Sequence, residues 1–183
     1  MNKLNFLREA MKSFRSTGAI ASSSPALVKR LIQPVPSGAN LRIIELGPGD
    51  GCVTRALLEK LGPTAEIHAF EINEVFVKKI EGIQDSRLRV LPVGAEKMNE
   101  YFAPQSVDYI VSSLPLSMIP KEVKELILRQ SKVVLKPQGQ FLQYQYALQD
   151  YSLLKGYFNN VTVNFTLANL PPAFIYTCSL GLV

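Results

Sequence analysis

Residues 41–51 read "LRIIELGPGDG". A short apolar run halted by Gly-Pro-Gly is the pattern of a buried strand that ends in a tight turn. Glycines at such a turn let the backbone bend sharply and come close to a ligand. The next stretch, "CVTRALLEKLG" at 52–62, has helical spacing and closes on Gly62. Strand, glycine loop and helix in this order predict a ligand at the carboxyl end of the strand. The free N–H groups at the start of the helix suit an anion.

The same alternation continues outward. "AEIHAFE" (65–71), "RLRVLPV" (87–93), "VDYIVSS" (107–113) and "QFLQYQY" (140–146) read as strands. "NEVFVKKIEG" (73–82) reads as a helix with Asn73 as its N-cap, and "KEVKELILRQSKVVL" (121–135) as a helix running up to the turn "KPQG". A short helix near "YSLLKGYF" precedes two β-rich stretches, "VTVNFT" (161–166) and "AFIYTCSLG" (173–181). Alternating strands and helices imply right-handed crossovers and a mostly parallel sheet covered on both faces. The six-residue link "LANLPP" is too short for a helical crossover, so the last two strands should pair antiparallel at the sheet edge. The expected fold is α/β, a seven-stranded, mostly parallel sheet with an antiparallel edge strand. A cap segment at 1–38, ending in the connector "QPVPSGAN", precedes a domain at 39–183.

The 183 residues suit one core. No uninterrupted apolar run of about 18 residues exists to span a membrane, and the start lacks the apolar run of a secretory signal. Two cysteines, Cys52 and Cys178, fit a reducing cytosol. A single histidine, His68, argues against a metal centre built from histidines, and no metal is expected. Charge is unevenly placed. Residues 1–30 hold six bases and one acid, leaving 14 of each in residues 31–183, so the whole formal charge of +5 sits in the first 30 residues. An anionic partner is expected on that side, and lipid headgroups and RNA both qualify.

The glycine loop discriminates between cofactors. A dinucleotide fingerprint requires glycine at position 52, which is Cys52. The observed Glu-x-Gly-x-Gly-x-Gly pattern, with Glu45, Gly47, Gly49 and Gly51, resembles the first motif of class I S-adenosylmethionine-dependent methyltransferases. Twenty residues after Gly51 stands Glu71, at a strand end where a carboxylate accepts both hydroxyls of an adenosine ribose. The resemblance implies a Rossmann-like fold, S-adenosyl-L-methionine as cofactor and S-adenosyl-L-homocysteine as product. It further implies cofactor contacts from Pro48, Ile72 and Ser112, and adenine contacts from Gly94, Ala95 and Glu96. Gly94 stands where many relatives carry Asp, so the adenine end departs from the pattern.

The acceptor is addressed by the loop after the fourth strand, "SSLPLSMIP" at 112–120. Adenine-methylating relatives carry Asn/Asp-Pro-Pro-Tyr or Asn-Leu-Pro-Tyr there, an amide that accepts an amine proton and a ring that stacks on the base. Ser113 and Leu116 supply neither. What remains resembles the bacterial phospholipid N-methyltransferases, which act on phosphatidylethanolamine. The resemblance covers most of the chain. It is carried by "FLREAMKSFRSTGAIASSSPALVKRL" (with Ser22 where proline is usual), "ELGPGDG", "SLPLSMIP", "FLQYQY" and "NLPPAFIY". It implies a peripheral enzyme at the inner face of the membrane, acting on an anionic or zwitterionic phospholipid surface. An RNA adenine N6-methyltransferase and a non-catalytic relative are the competing readings.

Transfer from an activated sulfonium needs alignment and a neutral amine lone pair. The carbonyls around Leu114 and Pro115 are candidates to accept the amine protons, and Tyr146 and Gln143 to orient the headgroup. Tyr146 alternatively caps the sheet. For Ser23 and Ser24, contact with the carboxylate of the cofactor and capping of the helix "PALVKRL" both stand. His68, in mid-strand, reads as a packed core residue. At the N-terminus, Leu4, Leu7, Met11 and Phe14 alternate with Lys3, Arg8, Lys12 and Arg15. That is the pattern of an amphipathic helix whose bases face anionic headgroups.

Overall fold

A computed structural model of the chain describes residues 23–181. The eight membrane-facing residues expected at positions 3–15, and Ser22, lie outside the described residues. Seven strands form one sheet in the order β3-β2-β1-β4-β5-β7-β6. They are β1 (Arg42–Leu46), β2 (Glu66–Phe70), β3 (Leu88–Leu91), β4 (Val107–Ser112), β5 (Leu135–Gln145), β6 (Asn160–Thr166) and β7 (Ala173–Ser179). The helices are α1 (Pro25–Leu31), α2 (Cys52–Lys60), α3 (Glu74–Glu81), α4 (Lys121–Val134) and α5 (Tyr151–Tyr157). Short 3-10 turns occur at Ala95–Glu100 and Leu116–Met118.

Neighbouring strands from β3 to β5 are parallel. β7 runs antiparallel to β5 and to β6. The antiparallel strand therefore lies one place in from the edge, with β6 outside it. "KPQG" is not a turn but the first part of β5. α4 ends at Val134 and the chain passes straight into the strand, with Leu135 paired to Val107 ahead of a register shift.

Each central strand is apolar on both faces, as a sheet covered on both sides requires. Ile44, Ile110 and Phe141 face one core with Ile127, Leu128 and Phe158. Ile43, Val111 and Leu142 face the other with Val53, Leu57 and Ile175. α1 is part of the second core, because its Leu27 and Leu31, with Val35 beyond, are fully buried there. Asn73 caps α3, its Oδ1 accepting from Val75 N at 3.0 Å. His68 is packed edge-on against Phe102, ring centroids 4.9 Å apart, and burial lowers its pKa.

Strands β2 and β3 lie to one side of β1 while β4 lies to the other. The order of the sheet thus reverses between β1 and β4, and a crevice opens at their carboxyl ends. The glycine loop leaves β1 into that crevice, and the loop at 113–120 leaves β4 into it.

Candidate active site

The glycine loop is held from three sides. Gly47, Gly49 and Gly51 have φ of 69°, 60° and 85°, the left-handed region that side chains other than glycine's rarely enter. A Cβ on Gly47 would stand 2.8 Å from Leu114 Cδ2, so the glycine is what lets this loop and the β4 loop touch. Gly51 N donates to the Pro48 carbonyl at 3.0 Å, closing the turn into α2. Gly49 N donates to Glu71 Oε2 at 3.3 Å, linking the loop to the acid at the end of β2. The other oxygen of Glu71 accepts from Ile72 N at 3.0 Å and Asn73 N at 2.9 Å, and the residue is buried.

Glu45 lies beneath the loop with no exposed surface. Its Oε2 accepts from Thr54 Oγ1 at 2.7 Å, and its Oε1 has no partner. Burial pushes its pKa up to about 8. The Thr54 hydrogen bond opposes that shift, and the charges of Glu71 and Asp50 add to it. The Cys52 thiol is pushed up to about 12, mainly by burial, so it stays protonated at the start of α2.

Gly47, Phe70, Glu71, Ile72, Gly94, Ala95, Glu96 and Leu114 line one pocket, with about 20 Å³ of free space, the room of a single water. Both carboxylate oxygens of Glu96 are buried there without a partner. A Cβ at position 94 would overlap that carboxylate. The missing Asp at 94 is thus matched by Glu96, two residues on, whose acid group occupies the space above the glycine. The unpaired buried acceptor and the wall of Phe70, Ile72 and Ile127 have the chemistry that the exocyclic amine and ring of adenine need, but the space holds a single water, so the Glu96 side chain must swing aside for a ring to enter. Glu71 and Glu96 are both acceptors, suited to the hydroxyl and amine donors that an adenosine-bearing cofactor presents.

Leu114 also lines a second pocket of about 170 Å³, with Ser113, Pro115, Ser117, Tyr144, Gln145, Tyr146, Ala147 and Gln149. Leu114 is therefore the wall between the two. Among the described residues no charged side chain lines the second pocket. Ser113 Oγ and Gln145 Nε2 are buried without partners. Sequence reasoning passed over Gln145 and Tyr144, although "QFLQYQY" places Gln143 and Gln145 on one face by the period of a strand. Ser112 Oγ accepts from Leu114 N at 3.3 Å and is buried, which fixes the β4 loop.

Gln143 sits differently from its expected place. It is buried, with Nε2 donating to the Leu114 carbonyl at 3.0 Å and to the Tyr144 carbonyl at 2.7 Å. It is not among the residues lining the second pocket. The Leu114 carbonyl also accepts from Leu116 N at 2.9 Å, so both of its lone pairs are engaged. The Pro115 carbonyl accepts from Met118 N at 2.9 Å. Tyr146 packs on Tyr144 with ring centroids 5.9 Å apart; burial is the largest cause of its raised pKa, and the neighbouring Asn169 opposes it.

Ser23 and Ser24 lie beside this second pocket and line no part of the first. Ser23 Oγ donates to Tyr144 Oη at 3.0 Å. Ser24 caps α1, its Oγ accepting from Leu27 N at 3.1 Å. Among the described residues no group of three or more His, Cys, Asp or Glu side chains gathers to hold a metal.

Comparisons with known proteins agree with this geometry. Residues 43–139 match the family described as "Methyltransferase domain". The chain is 27% identical to an ornithine lipid N-methyltransferase of Singulisphaera acidiphila over 179 residues, covering 94% of this chain and 93% of that protein. A S-adenosylmethionine-dependent methyltransferase from Aquifex aeolicus superposes with a TM-score of 0.65 at 13% identity, over 82% of this chain and 88% of that one. TrmN from Thermus thermophilus superposes with a TM-score of 0.67 at 19% identity, over 91% of this chain and 52% of that one. The family match over residues 43–139 and the seven-stranded fold agree: the chain belongs to the methyltransferase-domain family and is a class I S-adenosylmethionine-dependent methyltransferase.

Proposed function

We propose that the enzyme N-methylates the amine headgroup of a membrane lipid, with phosphatidylethanolamine as the expected acceptor. The observation that carries this reading is the second pocket, which among the described residues has no charged lining and holds one unpaired acceptor and one unpaired donor. Ser113 Oγ suits an amine proton, and Gln145 Nε2 suits an anionic headgroup oxygen. The likeness to an ornithine lipid N-methyltransferase adds support for an amine-bearing lipid. The loop "SSLPL" lacks the amide and the ring that an adenine base needs.

In this reading Glu45, Gly47, Pro48, Gly49, Gly51, Glu71, Ile72, Gly94, Ala95, Glu96 and Ser112 form the cofactor site. Ser23, through Tyr144, and Ser24, through Asn169, close the acceptor side of the site. S-adenosylmethionine supplies a methyl group already activated by its sulfonium. The protein's task is then to present a neutral amine in line. An ammonium of pKa near 10 loses stability on entering a pocket without a carboxylate, so the neutral form gains. Ser113 Oγ and the remaining lone pair of the Pro115 carbonyl take the amine hydrogens and aim the lone pair past Leu114. Gln143 acts through Leu114, holding its carbonyl, and Tyr146 walls the headgroup. The basic N-terminal residues Lys3, Arg8, Lys12 and Arg15 meet anionic headgroups while Leu4, Leu7, Met11 and Phe14 enter the acyl boundary.

The test is transfer of labelled methyl groups from S-adenosylmethionine to vesicles of phosphatidylethanolamine, to an ornithine lipid and to an RNA stem-loop. Methylation of a lipid amine with none on RNA is the expected result; methylation of RNA alone overturns the reading.

A further inference from the structure

The β6–β7 loop, residues 167–172, is fixed on its inner side and apolar on its outer side. Ala168 N donates to Thr166 Oγ1 at 3.1 Å, and Asn169 Nδ2 donates to the Pro171 carbonyl at 2.8 Å. Ser24 N donates to Asn169 Oδ1 at 2.9 Å, and the Ser24 hydroxyl donates to the Ala168 carbonyl. From this held backbone Leu167 and Leu170 project with 76% and 86% of their surface exposed. Leu148, 49% exposed, stands between Ala147 and Gln149 of the acceptor pocket. β6 runs in the same direction as β5, so its loop emerges at the edge of the sheet where both pockets open. Asn169 of this loop also stands close enough to Tyr146 of the pocket to oppose the rise of its pKa, so loop and pocket adjoin.

Two further observations say what covers this rim. Residues 156–183 contain no Asp, Glu, Lys or Arg, so this face leaves water without stripping a charge of its hydration. Residues 1–22, with four bases to one acid, join the described structure at Ser23, next to the Ser24 that is bonded to this same loop. An apolar rim bonded to the point where a cationic stretch of sequence joins the fold complements a bilayer interface with anionic headgroups.

We propose that Leu148, Leu167 and Leu170 form an apolar rim that inserts into the interfacial layer of a lipid bilayer and seats the acceptor pocket on it. The proposal rests on the lipid-amine reading, since such an acceptor stays in the bilayer and the mouth of the pocket must come to it. The rim supplies the part of membrane binding that salt does not weaken, while the basic segment supplies the part that salt screens.

Co-sedimentation of the full chain with vesicles of phosphatidylcholine, alone or mixed with phosphatidylglycerol, at low and high salt tests it. The Leu167→Ser/Leu170→Ser variant should bind both vesicles at least about tenfold more weakly, with the loss persisting at high salt. Its calorimetric affinity for S-adenosylmethionine should be unchanged, which guards against misfolding. The chain has no tryptophan, so Leu170→Trp provides a single reporter whose emission should shift to the blue on vesicles. Unchanged partitioning of the serine variant, unshifted emission, or a self-association of the wild type that the serine variant abolishes would each overturn the proposal. None of these readouts needs turnover. Rim-dependent vesicle binding without lipid methylation contradicts the lipid-amine reading alone, and lipid methylation with rim-independent binding contradicts the rim alone.

Discussion

Replacing Glu45 by glutamine should make the protein more stable at neutral pH, by an amount that grows with pH. Glu45 is wholly buried, and burial raises its pKa from an ordinary 4.5 to about 8. The folded state therefore keeps a proton that the unfolded chain releases. Stability is full below the unfolded pKa, falls as pH rises beyond it, and levels off once the folded carboxyl ionises as well. Each pH unit in that window is worth about 1.4 kcal/mol, so the wild type loses about 3 kcal/mol by pH 7 and at most about 5 kcal/mol above the folded pKa. Glutamine keeps the shape of the protonated acid, and its Oε1 can still accept from Thr54, but it has no proton to lose. Urea unfolding of both proteins across pH 4.5 to 8.5 measures the difference, in which all other titrating groups cancel. The difference should be near zero at the acid end and reach about 3 kcal/mol in favour of the variant at pH 7, or roughly 10 °C in Tm. A difference independent of pH, or a less stable variant at pH 7, would refute the buried, proton-holding environment assigned to Glu45. The same variant should bind the cationic cofactor more weakly, because it has no carboxylate to ionise beside it.

Gly47→Ala should lower affinity for S-adenosylmethionine at least about tenfold by calorimetry, since the new Cβ meets Leu114 from a left-handed backbone. Gly94→Ala should weaken it by displacing the Glu96 carboxylate, and Glu96→Ala by removing that carboxylate. Gly94→Asp combined with Glu96→Ala should recover binding, because the acid returns at the other position. Gln145→Leu should raise the KM for a lipid amine several-fold while the affinity for the cofactor holds. An equal loss of both would assign Gln145 a structural role.

The expected cofactor half of the site is legible in sequence because its signals are local. Glu45, the three loop glycines and Glu71 lie on strand ends whose apolar runs announce themselves, and the alternation of strands and helices fixes which ends meet. The acceptor half was less legible because it is assembled from distant segments. Gln143 and Gln145 look equivalent in sequence, yet one is buried against the Leu114 carbonyl and the other lines the pocket, a difference set by how β5 passes the β4 loop. The first part of β5 escaped notice because Pro137 and Gly139 imitate a turn, whereas pairing of Leu135 with Val107 keeps the chain extended. The place of Glu96 above Gly94 follows from the 3-10 turn at Ala95–Glu100, which no apolar period reveals.

The most direct test of the account is a single competition: one preparation of the full chain, labelled S-adenosylmethionine, and amine-bearing lipid vesicles together with an RNA stem-loop. Label should appear in the lipid headgroup, rising with pH as the amine loses its proton, and none in the RNA. Label in the RNA with none in any lipid would contradict it.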